Sequence, residues 1–435
     1  MSARLLLNEL KKIGRPRILL LIAVMGALVF FAFMRPYIDS FKANMLKPGF
    51  FNAYGDWQNE MFDLYGETLS AAELADFDIP GRKAALEAEI DAMIAAEPLF
   101  ADYGVHSFAE YREDYYAGYS RRLAEADAAE RDKLQADNAA IYDMMFGPGE
   151  KWLGLYALED YYVYFLDLDR NGVNLDGGGV LGMTLFPEDS PVYSPVVHRA
   201  EQLYIGAAER NLTRYGLHET FSNYAALAGL FAVLAVLLLT SPLVMTDRWR
   251  GIHLLLYASA KGRAVLRIQA AACLIAAGAM GLLTAVVSYG AFFALTDAGK
   301  YWSAHIGAFD RAVVLYDVAF RGYVLILGAT TVSLCVGCAG LSFVLSRFSS
   351  GAVTLMLKAV PVALVLGFAA WNTLEMALTN QNMICHGVYT AGRNLHSIFL
   401  RGVEAPEVIF AGLLALVGLL AAGAVAAREK RADIV

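Results

Sequence analysis

Charge is what this 435-residue chain has least of. Charged side chains make up 18% of it and hydrophobic ones 57%, whereas a soluble protein carries about 25% charged residues. A single water-solvated globule is therefore excluded. Cysteine is also scarce. Of four cysteines, Cys273, Cys335 and Cys338 fall within apolar runs and only Cys385 in a loop expected outside the cytoplasm. That leaves no basis for an intrachain disulfide framework. Motifs for nucleotide and hydrolytic chemistry are missing as well. No G-x-x-x-x-G-K-[ST] occurs, and Gly299-Lys300 lacks both the earlier glycine and the hydroxyl residue, so the chain has no P-loop to cradle phosphates. H-E-x-x-H and G-x-S-x-G are absent too. The first apolar run ends Phe33-Met34-Arg35-Pro36, without a small-x-small cleavage pattern, and reads as a retained span rather than a removed signal.

The apolar residues gather in runs long enough to cross a bilayer core of ~30 Å. Five are clear: Ile18–Met34, Tyr224–Met245, Ala270–Thr296, Gly322–Ser346 and Glu407–Ala427. A further span, fifth in chain order, is centred on Ala359–Ala370 and bracketed by Lys358 and Glu375. Those two residues would stand roughly 25 Å apart on a straight helix, too far to pair. They are expected to mark its ends, with Pro361 in the first turn. The other reading puts Lys358 or Glu375 in a transport path or interface.

Fifteen Lys and Arg residues lie in the N-terminal stretch, residues 246–267, the Arg347–Lys358 connection and the C-terminus, against five in the alternate short segments. This bias predicts that both termini are cytoplasmic, in a multi-pass protein of the plasma (cytoplasmic) membrane. Residues 37–220 then lie outside. They hold 33 of the 43 acidic and 14 of the 35 basic residues, a formal charge of −19. Such a field either solvates the domain or steers cationic substrates toward it. Residues 80–96 and 107–145 read as helices, as does 195–215 leading into the second span. Tyr161–Leu168 reads as a strand. Asp167, Asp169, Asn171 and Gly172 imitate the start of a calcium loop, but Gly178 stands where a bidentate Glu is needed, so a turn is expected. Cys385, His386 and His396 lack a metal-ligand spacing.

The chain therefore reads as an all-α polytopic membrane protein. Its parts are an N-terminal amphipathic stretch with the first span (1–36), a mainly helical extracytoplasmic domain with minor β (37–220), and five further spans (221–435). The most informative segment is the connection 246–267. Asp247, Arg248 and Arg250 lead it. Trp249, Ile252 and Leu256 share a face at helical spacing, Ala258 to Gly262 end the helix, and Lys261 and Arg263 belong to the same basic connection. Asp247 is expected to cap this helix. A helix here either presents a knob to a cytoplasmic partner or lies on the headgroups.

This segment resembles the cytoplasmic coupling loop of permease subunits of type-2 ABC transporters. The resemblance is carried by Asp247, Arg248, Arg250, Gly251, Leu254 to Leu256, Ser259, Gly262 and Arg263. Asp247 stands where that family usually has Glu, and Gln269 where it has Lys. The resemblance implies a separate ABC ATPase subunit that carries ATP and Mg, and a second permease copy or sister permease. It also implies export. With the nucleotide and hydrolytic motifs missing, no catalytic residue, cofactor or metal is expected in this chain, and no nucleic-acid partner. A sensor or mechanotransmitter that relays ATPase motion without moving substrate is the alternative, though such proteins usually have four spans. A membrane scaffold is the third reading.

Overall fold

The computed structural model describes residues 3–42, 50–146, 154–155, 158, 210–211, 217–252, 262–306, 317–375, 377–378 and 406–431. Helix dominates these residues, and strand is confined to two residue pairs. Six helices are long and apolar enough to cross a membrane: Pro16–Asp39, Leu217–Asp247, Val265–Leu295, Phe320–Arg347, Ala352–Glu375 and Glu407–Arg428, spans 1 to 6. The protein is an all-α polytopic membrane protein. The described residues form two compact units, residues 3–39 with 217–431 and residues 40–146 with 210–211.

In the first unit, spans 2, 3 and 4 carry the core. Ala235, Leu239, Leu266, Cys273, Phe343 and Ala422 are buried in one cluster. Leu20, Leu28, Phe31 and Phe33 of span 1, and Val353, Leu357, Leu364 and Val365 of span 5, are exposed. In lipid this is no penalty, because the surrounding tails are as apolar as the side chains. Small residues set the closest approach. A Cβ on Gly337 would lie 2.7 Å from Leu414 Cγ, and one on Gly340 would fall inside the backbone of Gly418. Glycine at these positions lets spans 4 and 6 meet backbone to backbone.

Span 5 differs from the sequence expectation. Its helix begins at Ala352, so Lys358 lies two turns inside it and Pro361 in its interior. The proline removes the N–H that would serve the Leu357 carbonyl. The run was undercounted because the polar residues before Ala352 and the charge at Lys358 looked like a boundary. Lys358 instead snorkels back, its Nζ donating to the Phe348 carbonyl at 2.8 Å. Glu375 does mark the helix end.

The second unit is built from capped helices. Ser70 and Glu73 form a reciprocal capping box at the start of Ala71–Phe77. Asp78, at φ +50°, caps Ile79–Ala96 through the Gly81 amide at 3.1 Å. The expected 107–145 helix is broken. A π-helical turn occupies Tyr111–Tyr116, and the chain is extended at Ala126 before Ala128–Phe146. Ile90, Ile94, Phe100, Tyr111, Tyr115, Ile141 and Met145 fill its core. Tyr103 donates to Asp137 at 2.6 Å, and burial with that carboxylate pushes its phenol above the ordinary value. Arg82 stacks on Phe77, 3.9 Å from the ring centroid, and pairs with Glu60 at 2.9 Å. Thr68–Leu69 pairs antiparallel with Arg210–Asn211. That pairing contradicts the helix expected over 195–215 at those two positions. The rest of that helix, the strand expected at 161–168, the calcium-like loop and the Cys385–His386–His396 group lie outside the described residues.

Candidate functional site

The candidate site is built where three elements of the first unit meet: the N-terminal helix Ala3–Ile13, the short helix Pro242–Trp249 that ends span 2, and the start of span 3. The N-terminal helix is amphipathic. Leu6, Leu10 and Ile13 pack on the cluster that includes Leu243, Leu266 and Ala270. Glu9 lies among these apolar positions and is 3% exposed. An isolated carboxylate there would cost several kcal/mol, on the order of the effective penalty for a buried ion.

Glu9 is not isolated. Lys12, one turn on, places Nζ 2.8 Å from Glu9 Oε1 and 3.2 Å from Asp247 Oδ2. Gln269 on span 3 donates through Nε2 to Asp247 Oδ2 at 2.7 Å and to Glu9 Oε2 at 3.2 Å. Asp247 and Gln269 are 6% and 2% exposed. Two carboxylates, one ammonium and one amide thus tie the N-terminal helix to both ends of the 246–267 connection. Burial works against the Lys12 ammonium, but the Glu9 hydrogen bond and the two carboxylate charges outweigh it, and its pKa is raised.

Asp247 is therefore not the N-terminal cap expected from sequence. It stands in the last turn of Pro242–Trp249, where a negative charge opposes the helix dipole and needs a cation beside it. Lys12 supplies that cation. Gly251, at φ +69°, follows the helix end in the left-handed conformation that favours glycine. Arg250 is exposed and Ile252 half-buried. The backbones of Arg248, Trp249 and Arg263 are described but their side chains are not, and Leu256 and Lys261 lie outside the described residues. Lys358 and Glu375 stand at separate levels of span 5 and are not brought together.

Sequence reasoning missed Glu9 and Lys12. The signal was present: a glutamate three residues after Leu6 and four before Ile13 sits on the apolar stripe of an amphipathic helix, where an acid calls for a partner. Away from this cluster, an apolar groove of about 450 Å³ runs between spans 2 and 5, lined by residues including Leu230, Leu234, Leu364, Phe368 and Trp371.

Comparison with protein-family models, with curated proteins and with solved structures gives no match.

Proposed function

We propose that the chain is the permease subunit of a type-2 ABC transporter, acting in export, with ATP and Mg bound on a separate ATPase subunit. The observation that carries this reading is the buried Glu9–Lys12–Asp247–Gln269 cluster. It ties the segment that resembles a coupling loop to the N-terminal helix and to span 3, so a push on residues 248–252 is delivered to two helices at once. Packed elements of this kind have discrete arrangements and pass displacement on rather than absorbing it. The exposed Arg250 beside this cluster suits acidic groups on a docking ATPase. Two permease halves, this chain twice or with a sister chain, complete the pathway, and the apolar groove between spans 2 and 5 suits an amphiphilic substrate better than a hydrophilic one.

Both termini and residues 246–267 are cytoplasmic in this reading, and the acidic unit lies outside. A membrane-impermeant thiol reagent applied to intact cells is expected to label Glu125→Cys and to spare Lys261→Cys. Labelling of the second and protection of the first would reverse the topology. The function is tested by purifying the chain in mild detergent together with a P-loop ATPase, where the adjacent reading frame encodes one. Retention of that ATPase and stimulated hydrolysis are expected. An ATPase that neither binds nor responds contradicts the proposal, and one that binds without any vesicle flux favours the sensor reading.

A further inference from the structure

Span 2 is not one unbroken helix. Its main part, Leu217–Thr240, stops one residue before Pro242, and the short helix Pro242–Trp249 restarts beyond it. Proline has no N–H, so the Leu238 carbonyl loses its helical donor, and the first N–H groups of the restarted helix have no acceptor within it. In a bilayer such groups must be satisfied by protein.

Span 4 brings two serines one turn apart to this break, and one of them takes a backbone amide of the restarted helix. Ser342 Oγ lies 2.9 Å from both Thr240 Oγ1 and Ser241 Oγ. Ser346 Oγ accepts the Met245 amide at 3.1 Å. Thr240 and Ser241 also turn their hydroxyls back on their own helix, 2.7 Å from the Val236 carbonyl and 2.6 Å from the Leu237 carbonyl. Thr240, Ser342 and Ser346 are fully buried. Hydroxyls in an apolar core are costly unless bonded, and those of Thr240, Ser241, Ser342 and Ser346 converge on one break. Ser346 does for the restarted helix what an N-cap does, but from a neighbouring span.

We infer that Ser342 and Ser346 are positioning residues through which span 4 fixes the direction of the Pro242–Trp249 helix, and hence of Asp247 and the coupling segment. This deepens the permease reading and rests on it for its functional consequence. The mechanical part does not. Movement of span 4 along its axis carries both serines with it and re-aims the restarted helix about Ser241–Pro242, while the main part of span 2 stays packed. The hinge thus joins the spans to the docking segment at a second point, one helix turn or more before Asp247 and the Lys12 cluster.

The test is hydrogen–deuterium exchange on the full chain in lipid nanodiscs, read over residues 242–249 and, as an internal reference, over 270–290. Ser346→Ala is expected to speed exchange over 242–249 by about fivefold, the net worth of one hydrogen bond, and to leave 270–290 unchanged. Ser346→Thr, which keeps the hydroxyl, is expected to restore the slow rate, and the similarly shaped Ser346→Val is not. Wild-type rates in Ser346→Ala, or equal rates in the Thr and Val variants, would overturn the inference, and the Thr-against-Val comparison still decides if Ser346→Ala loosens the whole bundle. With a P-loop ATPase from the adjacent reading frame added, Ser346→Ala is expected to bind it normally yet stimulate hydrolysis less than Ser346→Thr. An ATPase that fails to bind the wild-type chain overturns the permease reading instead and leaves the exchange result standing.

Discussion

Gly340→Leu is expected to lose most of its folded, detergent-stable protein. Any Cβ at this position falls inside the backbone of Gly418, and Gly418 in turn has no room for one against Gly337. Backbone cannot swing aside as a side-chain tip can, so spans 4 and 6 must separate along their whole contact. Overpacking in a well-packed interior costs about 3 kcal/mol at the upper end of its usual range, and here it also uncovers buried Cys335, Ser342 and Phe343. Gly412→Leu is the control. It lies on the same span 6, with nothing within 4 Å of its ideal Cβ, and is expected to match wild type. Thermal unfolding followed by size-exclusion chromatography separates the two. Equal stability of both variants would mean that spans 4 and 6 do not meet through glycine.

The second large effect concerns Lys12. Lys12→Met leaves Glu9 and Asp247 facing one amide without a cation. Removing one partner of a buried ion pair costs about 3–5 kcal/mol, but the Lys12 side chain is 34% exposed, so water screens part of this and about 2 kcal/mol is expected. Lys12→Met with Glu9→Gln returns the cluster to its wild-type net charge of one negative and is expected to recover more than half of the loss. A double variant no more stable than the single one would mean that the cluster is not electrostatic. The pH dependence follows from the raised pKa of Lys12. Its contribution is complete below the ordinary lysine value of 10.5, and is lost only as pH rises through the higher folded value. Wild-type stability from this source should therefore be flat from pH 6 to 9.

The spans were legible because apolar runs of bilayer length say the same thing in sequence and in structure. Their ends were less so. Charge at Lys358 looked like a terminus, yet a long side chain can start inside a helix and deliver its ammonium to the Phe348 carbonyl. Helix formers run through 107–145 and suggest one helix, while the π-turn at Tyr111–Tyr116 accompanies packing of Tyr111 and Tyr115 that no local pattern records, and the extended Ala126 precedes Asp127, whose Oδ1 accepts the Glu130 amide at 2.9 Å to start the next helix. At the candidate site, Asp247 was found and its role misread. Its position before a helical pattern suggested a cap, but the helix it belongs to begins earlier, at Pro242. Glu9, Lys12 and Gln269 are separated from Asp247 by up to 238 residues of chain, and only the fold shows that they share one hydrogen-bonded group.

Coupling of this membrane protein to an ATPase through residues 247–252, as proposed above, is open to measurement. The measurement is ATP hydrolysis by a P-loop ATPase that copurifies with this chain, co-reconstituted with it, comparing wild type with Asp247→Ala and with the double Arg248→Ala, Arg250→Ala variant. A bound ATPase stimulated by the wild-type chain is expected. Both variants are expected to lose that stimulation, with normal membrane insertion because the apolar runs are untouched. Binding and hydrolysis at wild-type levels in both variants would contradict the coupling.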